Sequence, residues 1–177
     1  DEVRKVLEDA RRLVEKLERD LEKVLEDYKR LVDELKERNE RSHRESRRLA
    51  EELKKELERE RSREVVETIR ETVERILRKN EELARRAEDL HRRVNEELER
   101  LVEEIKRRAD DLRRRVEEAK LDDEVKERID RLVKRLEDLA RRIKEELDKL
   151  VKESRESLER NKTEVKKLIR ELEETVR

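Results

Sequence analysis

Two stretches of the chain spell Glu-x-x-His, Glu40-Arg41-Ser42-His43 and Glu88-Asp89-Leu90-His91. Residues three apart share a helix face, so a carboxylate and an imidazole at this spacing can ligate one metal ion together. Acidic residues number 54 of 177, however, so the spacing arises readily beside any histidine. In the antiparallel register developed below, the two motifs stand about 12 Å apart and cannot share an ion. No metal and no cofactor is expected. The same two histidines are the side chains whose ordinary titration falls near neutrality. Protonating a buried one that accepts a hydrogen bond would break that bond and loosen its surroundings, which is the chemistry of a pH-responsive switch.

Around the first histidine, Asn39-x-x-Ser42-His43-x-x-Ser46-Arg47 resembles over nine residues the basic region of basic-leucine-zipper proteins, where Asn and Arg stand eight apart on one helix. The pattern departs where two small alanines belong, since Ser42 and His43 stand there. Glu37, Glu40 and Glu45 dilute the positive charge that phosphate contacts require. Across the chain 53 basic residues face 54 acidic ones, a net charge of −1. No nucleic-acid partner is expected. With no cysteine there is neither thiolate ligand nor thiol nucleophile. Gly-rich phosphate cradles and pocket-forming aromatics are missing, and Tyr28 is the single aromatic residue. The reading is not an enzyme, and no catalytic residue is assigned.

The elements that hold these residues are written in the apolar rhythm. Val3, Leu7, Ala10, Val14, Leu17, Leu21, Val24, Tyr28, Leu31 and Leu35 recur in alternating steps of four and three, the seam of a coiled-coil-like helix. Val6, Leu13, Leu25 and Val32 flank and widen it. Similar runs follow from Val66 to Val116 and from Val125 to Val176. Two lapses separate them. Ser62 followed by Arg63 and Glu64 reads as an N-cap with an acid in the first turn. Leu121-Asp122-Asp123-Glu124 reads as an Asp cap with a Leu before it. Three helices, α1, α2 and α3, are therefore expected over 1–60, 63–120 and 123–177, each roughly 85 Å long. Short connections make neighbours antiparallel. The predicted fold is all-α, an elongated up-down-up three-helix bundle forming a single domain over 1–177. No apolar run approaches the roughly 20 residues that cross a bilayer, and no leader is read at the N-terminus, so a soluble chain with no membrane partner is expected.

If the hairpins fold near residues 61 and 121, facing residues in α1 and α2 have numbers totalling about 123, and those in α2 and α3 about 243. That arithmetic collects the chain's uncharged polar residues. From Lys36 to Arg48 there is no apolar residue, yet the helical rhythm continues through Asn39, Ser42, His43 and Ser46. His43 then faces Asn80, which lies near Thr163 and within a turn of Asn161. Tyr28 faces Asn95, with His91 a turn away and Ser154 nearby on α3. Thr68 faces Thr175, with Thr72 beside it. Because an unpaired buried polar group costs about 1–3 kcal/mol, such coincidences read as internal hydrogen-bond networks that fix register and helix order.

Asn39, Ser42, His43, Ser46, Asn80 and Asn161, set among Leu, Val and Ile seams and a Glu, Lys and Arg surface, resemble the de novo designed helical bundles and coiled coils built around buried hydrogen-bond networks. Composition agrees. Charged residues make up 60% of the chain, against about 25% in ordinary domains, and Gly, Pro, Cys, Met, Trp, Phe and Gln are all absent. Only in its want of Gly or Pro loops does the chain depart from that pattern. The resemblance implies a structural scaffold, with a self-contained monomer as the expected state. A homo-oligomer, a designed helical partner and a histidine-based pH switch are its alternatives.

Overall fold

The computed structural model describes residues 2–177. Among them the chain forms three α-helices, α1 Glu2–Arg59, α2 Arg63–Glu118 and α3 Asp123–Val176. Their contacts divide into two compact units. Unit 1 takes the chain up to Arg30 together with Arg92–Leu150, and unit 2 takes Leu31–His91 together with Val151–Arg177. Each unit thus holds a segment of all three helices and one of the two tight connections.

The connections stop the helices by specific means. Ser62 is the N-cap of α2, its Oγ accepting the Val65 N–H at 3.3 Å and its carbonyl accepting the Val66 N–H. The α2 C-terminus closes differently. The Lys120 N–H donates to the Glu117 carbonyl at 3.1 Å and the Leu121 N–H to the Val116 carbonyl at 3.3 Å, which is the paired bonding of a Schellman motif. Leu121 and Val116 lie in one buried cluster, as the motif requires. Its left-handed position is usually glycine, but here it is Lys120 at φ 51°. Asp122 follows as the residue before α3, its carbonyl accepting from Val125 and Lys126. α3 has no basic residue in its last turn. Arg61, in the α1–α2 connection, supplies one from outside by donating to the Val176 carbonyl at 2.8 Å.

Register is written in the ion pairs of each unit. In unit 1, Glu18 meets Arg135 at 2.8 Å and Lys29 meets Glu146 at 3.7 Å. In unit 2, Lys36 meets Glu153 at 3.8 Å and Lys54 meets Glu171 at 2.9 Å. Partners stand 117 residues apart in each case, so within each unit α1 and α3 run parallel. Asp9–Arg115 in unit 1 and Glu45–Lys79 in unit 2 pair α1 with α2 in the opposite sense. Arg113–Asp130 and Glu88–Arg155 do the same for α2 and α3. Exposed pairs of this kind contribute about 0–1 kcal/mol each. They report alignment more than they stabilise it.

Burial supplies the stability. Unit 1 packs Val6 and Ala10 against Ala109, Leu112 and Ile129, and unit 2 packs Leu53 and Leu57 against Ile69, Val165 and Leu172. The seam differs in detail from the strict alternation of fours and threes. Val6 and Val32 are buried, whereas Leu7 is half-buried and Leu31 is 36% exposed. On α3, Val133 is buried and Leu132 half-buried. A straight α-helix turns every 3.6 residues and drifts about 20° per heptad against a 3.5-residue repeat. The inward position therefore passes from one residue to its neighbour along helices this long.

Candidate functional site

Unit 2 brings three asparagines together, one from each helix. Asn161 on α3 donates from Nδ2 to Asn39 Oδ1 on α1 and to Asn80 Oδ1 on α2 at 3.5 Å. Asn39 is only 5% exposed, while Asn80 and Asn161 are half-buried. A carboxamide carries two N–H donors and one acceptor oxygen, so the Asn161 amide can serve both neighbours at once. The α1 member of this layer is Asn39, not His43. His43 is half-buried one turn further on, and its Nδ1 is buried without a hydrogen bond. Ser42 and Ser46 are half-buried beside it.

A second polar contact in unit 2 joins α2 to α3. His91 is 1% exposed and Ser154 3%, with Nε2 and Oγ 3.3 Å apart. Burial lowers the His91 pKa below its ordinary value; the nearby Glu88 carboxylate opposes that shift and the Arg155 guanidinium adds to it. The ring is therefore neutral at pH 7. Glu88 Oε1 lies 3.8 Å from Nδ1, too far for a hydrogen bond but close enough to favour the proton on that nitrogen. Nε2 then accepts from the Ser154 hydroxyl. Arg155 ties Glu88 to the same place through its Nε at 3.5 Å. No sequence motif singles out Arg155, although its number and that of Glu88 total the expected value of about 243.

Serine, imidazole and carboxylate in this order are the parts of a base-activated nucleophile. Here both Ser154 and His91 are closed off from solvent. The cavity bordering Ser154 leaves about 10 Å³ for a solvent molecule, far below the roughly 300 Å³ at which ligand pockets begin.

Other expected members fall outside such layers. Tyr28 is 1% exposed in unit 1, but Asn95 is exposed to solvent and shares no buried layer with it. Val94 takes the inward position, and the next residue lies about 100° further round the helix. Thr68 is exposed, and its Oγ1 donates to the Glu64 carbonyl at 2.9 Å. Thr175 donates to the Glu171 carbonyl at 2.6 Å and Thr163 to that of Glu159 at 3.0 Å. Thr72 is buried, yet it too bonds back within its own helix, to the Thr68 carbonyl at 2.7 Å. A threonine hydroxyl has an acceptor four residues back at no cost in reach, which is why the threonine pairings expected between Thr68 and Thr175 do not form.

No group of three or more histidine, aspartate or glutamate side chains is arranged to hold a metal ion among the described residues. Among the same residues no helix is long and apolar enough to cross a membrane. No protein-family model and no curated protein sequence matches this chain. A solved structure described as a computationally designed three helix bundle is similar to it at 20% sequence identity and a TM-score of 0.39. The match covers 99% of this chain and 89% of that one.

Proposed function

We propose that this chain is a de novo designed structural scaffold with no natural catalytic activity, monomeric, and specified by polar layers placed between its helices. The observation that carries the reading is the Asn39–Asn161–Asn80 bridge across all three helices of unit 2. Leucine at those positions would bury more apolar surface, so asparagine there favours specificity over stability. Sliding one helix by a turn would strand the carboxamides, at about 1–3 kcal/mol for each unsatisfied group. A leucine layer would tolerate the slide. The composition supports design, since 60% charge with no Gly or Pro is a helix former's alphabet. A lysine at the left-handed turn position fits a sequence chosen without glycine.

The test is the triple substitution Asn39→Leu, Asn80→Leu and Asn161→Leu. The variant should unfold at higher denaturant than the parent but lose its single state, giving additional resonances or higher-order species by light scattering. If it remains one monomeric species with one set of resonances, the layer does not specify register.

The burial of His91 favours a second reading, a bundle that loosens on acidification. A helical content and oligomeric state unchanged between pH 7 and pH 5 would remove it.

A further inference from the structure

We propose that unit 2 binds one buried water molecule between Asn39 and Ser154, joining the asparagine layer to the His91–Ser154 pair. The inference needs only the cavity and its walls, and does not depend on the layers being register devices. Leu83, Ala87 and Leu158 supply apolar wall, and Asn39, Ser154 and Ser157 supply polar wall. About 10 Å³ is left for the solvent molecule, close to the minimum that one water occupies. Anything larger is excluded, which sets the ligand class.

The hydrogen-bonding capacity matches a water. Asn39 Oδ1 accepts from Asn161, which leaves the Asn39 Nδ2 group its two donors. With the His91 proton on Nδ1, the Ser154 hydroxyl donates to Nε2, 3.3 Å away, and keeps lone pairs that can accept. Ser157, three residues on, shares that face of α3 and offers a hydroxyl of either sense. A water here accepts from Asn39 and donates to the two serines, three partners where buried waters make two to four. The chain of bonds then runs Asn80, Asn161, Asn39, water, Ser154, His91. It crosses from α2 through α3 to α1 and returns through α3 to α2.

The experiment is water-selective NMR on the full chain, with xenon as a counter-probe. The parent should show cross-peaks from a long-lived water to the Asn39 side-chain amide and the Ala87 methyl, and xenon should leave Leu83 and Ala87 unshifted. Ser157→Ala removes one partner and should shorten the water's residence at least tenfold. Ser154→Ala with Ser157→Ala removes both acceptors of the water and leaves it Asn39 alone, so its cross-peaks should vanish. A parent without the water cross-peaks, or one in which xenon shifts Leu83 and Ala87, overturns the proposal whatever the variants do.

Discussion

Lys120 offers the sharpest test of how this chain turns. At φ 51° its backbone sits in the left-handed region, where a Cβ crowds the following carbonyl at a cost of roughly 1–2 kcal/mol. The Lys120 and Leu121 amides hold it there, and so does the shared burial of Leu121 and Val116. Replacing Lys120 with glycine removes the crowding. It also gives the unfolded chain more freedom, which offsets about 0.4–1 kcal/mol of the gain. A net stabilisation of about 0–1.6 kcal/mol remains by difference, about 0.8 kcal/mol at the midpoints. Lysine's charge near the α2 C-terminus has a favourable interaction of its own, so the proper reference is Lys120→Ala, which drops the charge but keeps the Cβ. Guanidinium unfolding should place the midpoint of Lys120→Gly above that of Lys120→Ala with unchanged slope. Lys120→Val, with a branched Cβ, should fall below both. A glycine variant no more stable than the alanine variant would show that the turn is not strained at this residue.

Asn161→Ala leaves two acceptors of the layer without their donor and should cost about 1–3 kcal/mol in chemical unfolding; a loss within about 0.3 kcal/mol of zero would mean solvent serves them equally well. Ser62→Ala removes the acceptor of the Val65 N–H and should cost about 1 kcal/mol, visible as faster amide exchange in the first turn of α2. His91 gives a pH dependence of definite sign. Its folded pKa lies below the unfolded value near 6.5, so in the window between them the unfolded chain holds more protons. Stability is full above that value and falls as the pH drops through it toward the folded pKa. Unfolding midpoints should decline from pH 7.5 to 5.5, and His91→Asn should flatten the decline; parallel profiles for the two proteins would contradict the assignment.

Much of this was legible because helices announce themselves locally. The apolar runs, Ser62 as a cap and the totals near 123 and 243 follow from turn geometry and short connections alone. The finer departures have separate causes. A strict seven-residue seam cannot say when the inward position passes from Leu31 to Val32, because the drift of a straight helix accumulates slowly. The total with Tyr28 pointed to Asn95, although the apolar rhythm itself runs through Val94. Thr68 and Thr175 stay unpaired with each other for another reason. Facing one another is not enough when each hydroxyl has a nearer acceptor in its own helix. Pairing only consecutive helices also hid the parallel contact of α1 with α3, and with it Asn39 as the partner of Asn161. Nothing in the sequence marked Lys120, since the usual sign of a left-handed cap is a glycine.

The separation of 117 residues between α1 and α3 partners has a kinetic side. Every α1–α3 contact in an otherwise unfolded chain closes a loop of that length. The Ser62 and Lys120 turns instead bring neighbours within about ten residues. By the logarithmic cost of closure the long loop is about 2 kcal/mol dearer. Each unit contains one such turn, so each has its own place for a hairpin to begin and zip outward. In unit 2 the latecomer is α3, and in unit 1 it is α1. The segment that arrives last in one unit is thus part of the same helix that helps start the other.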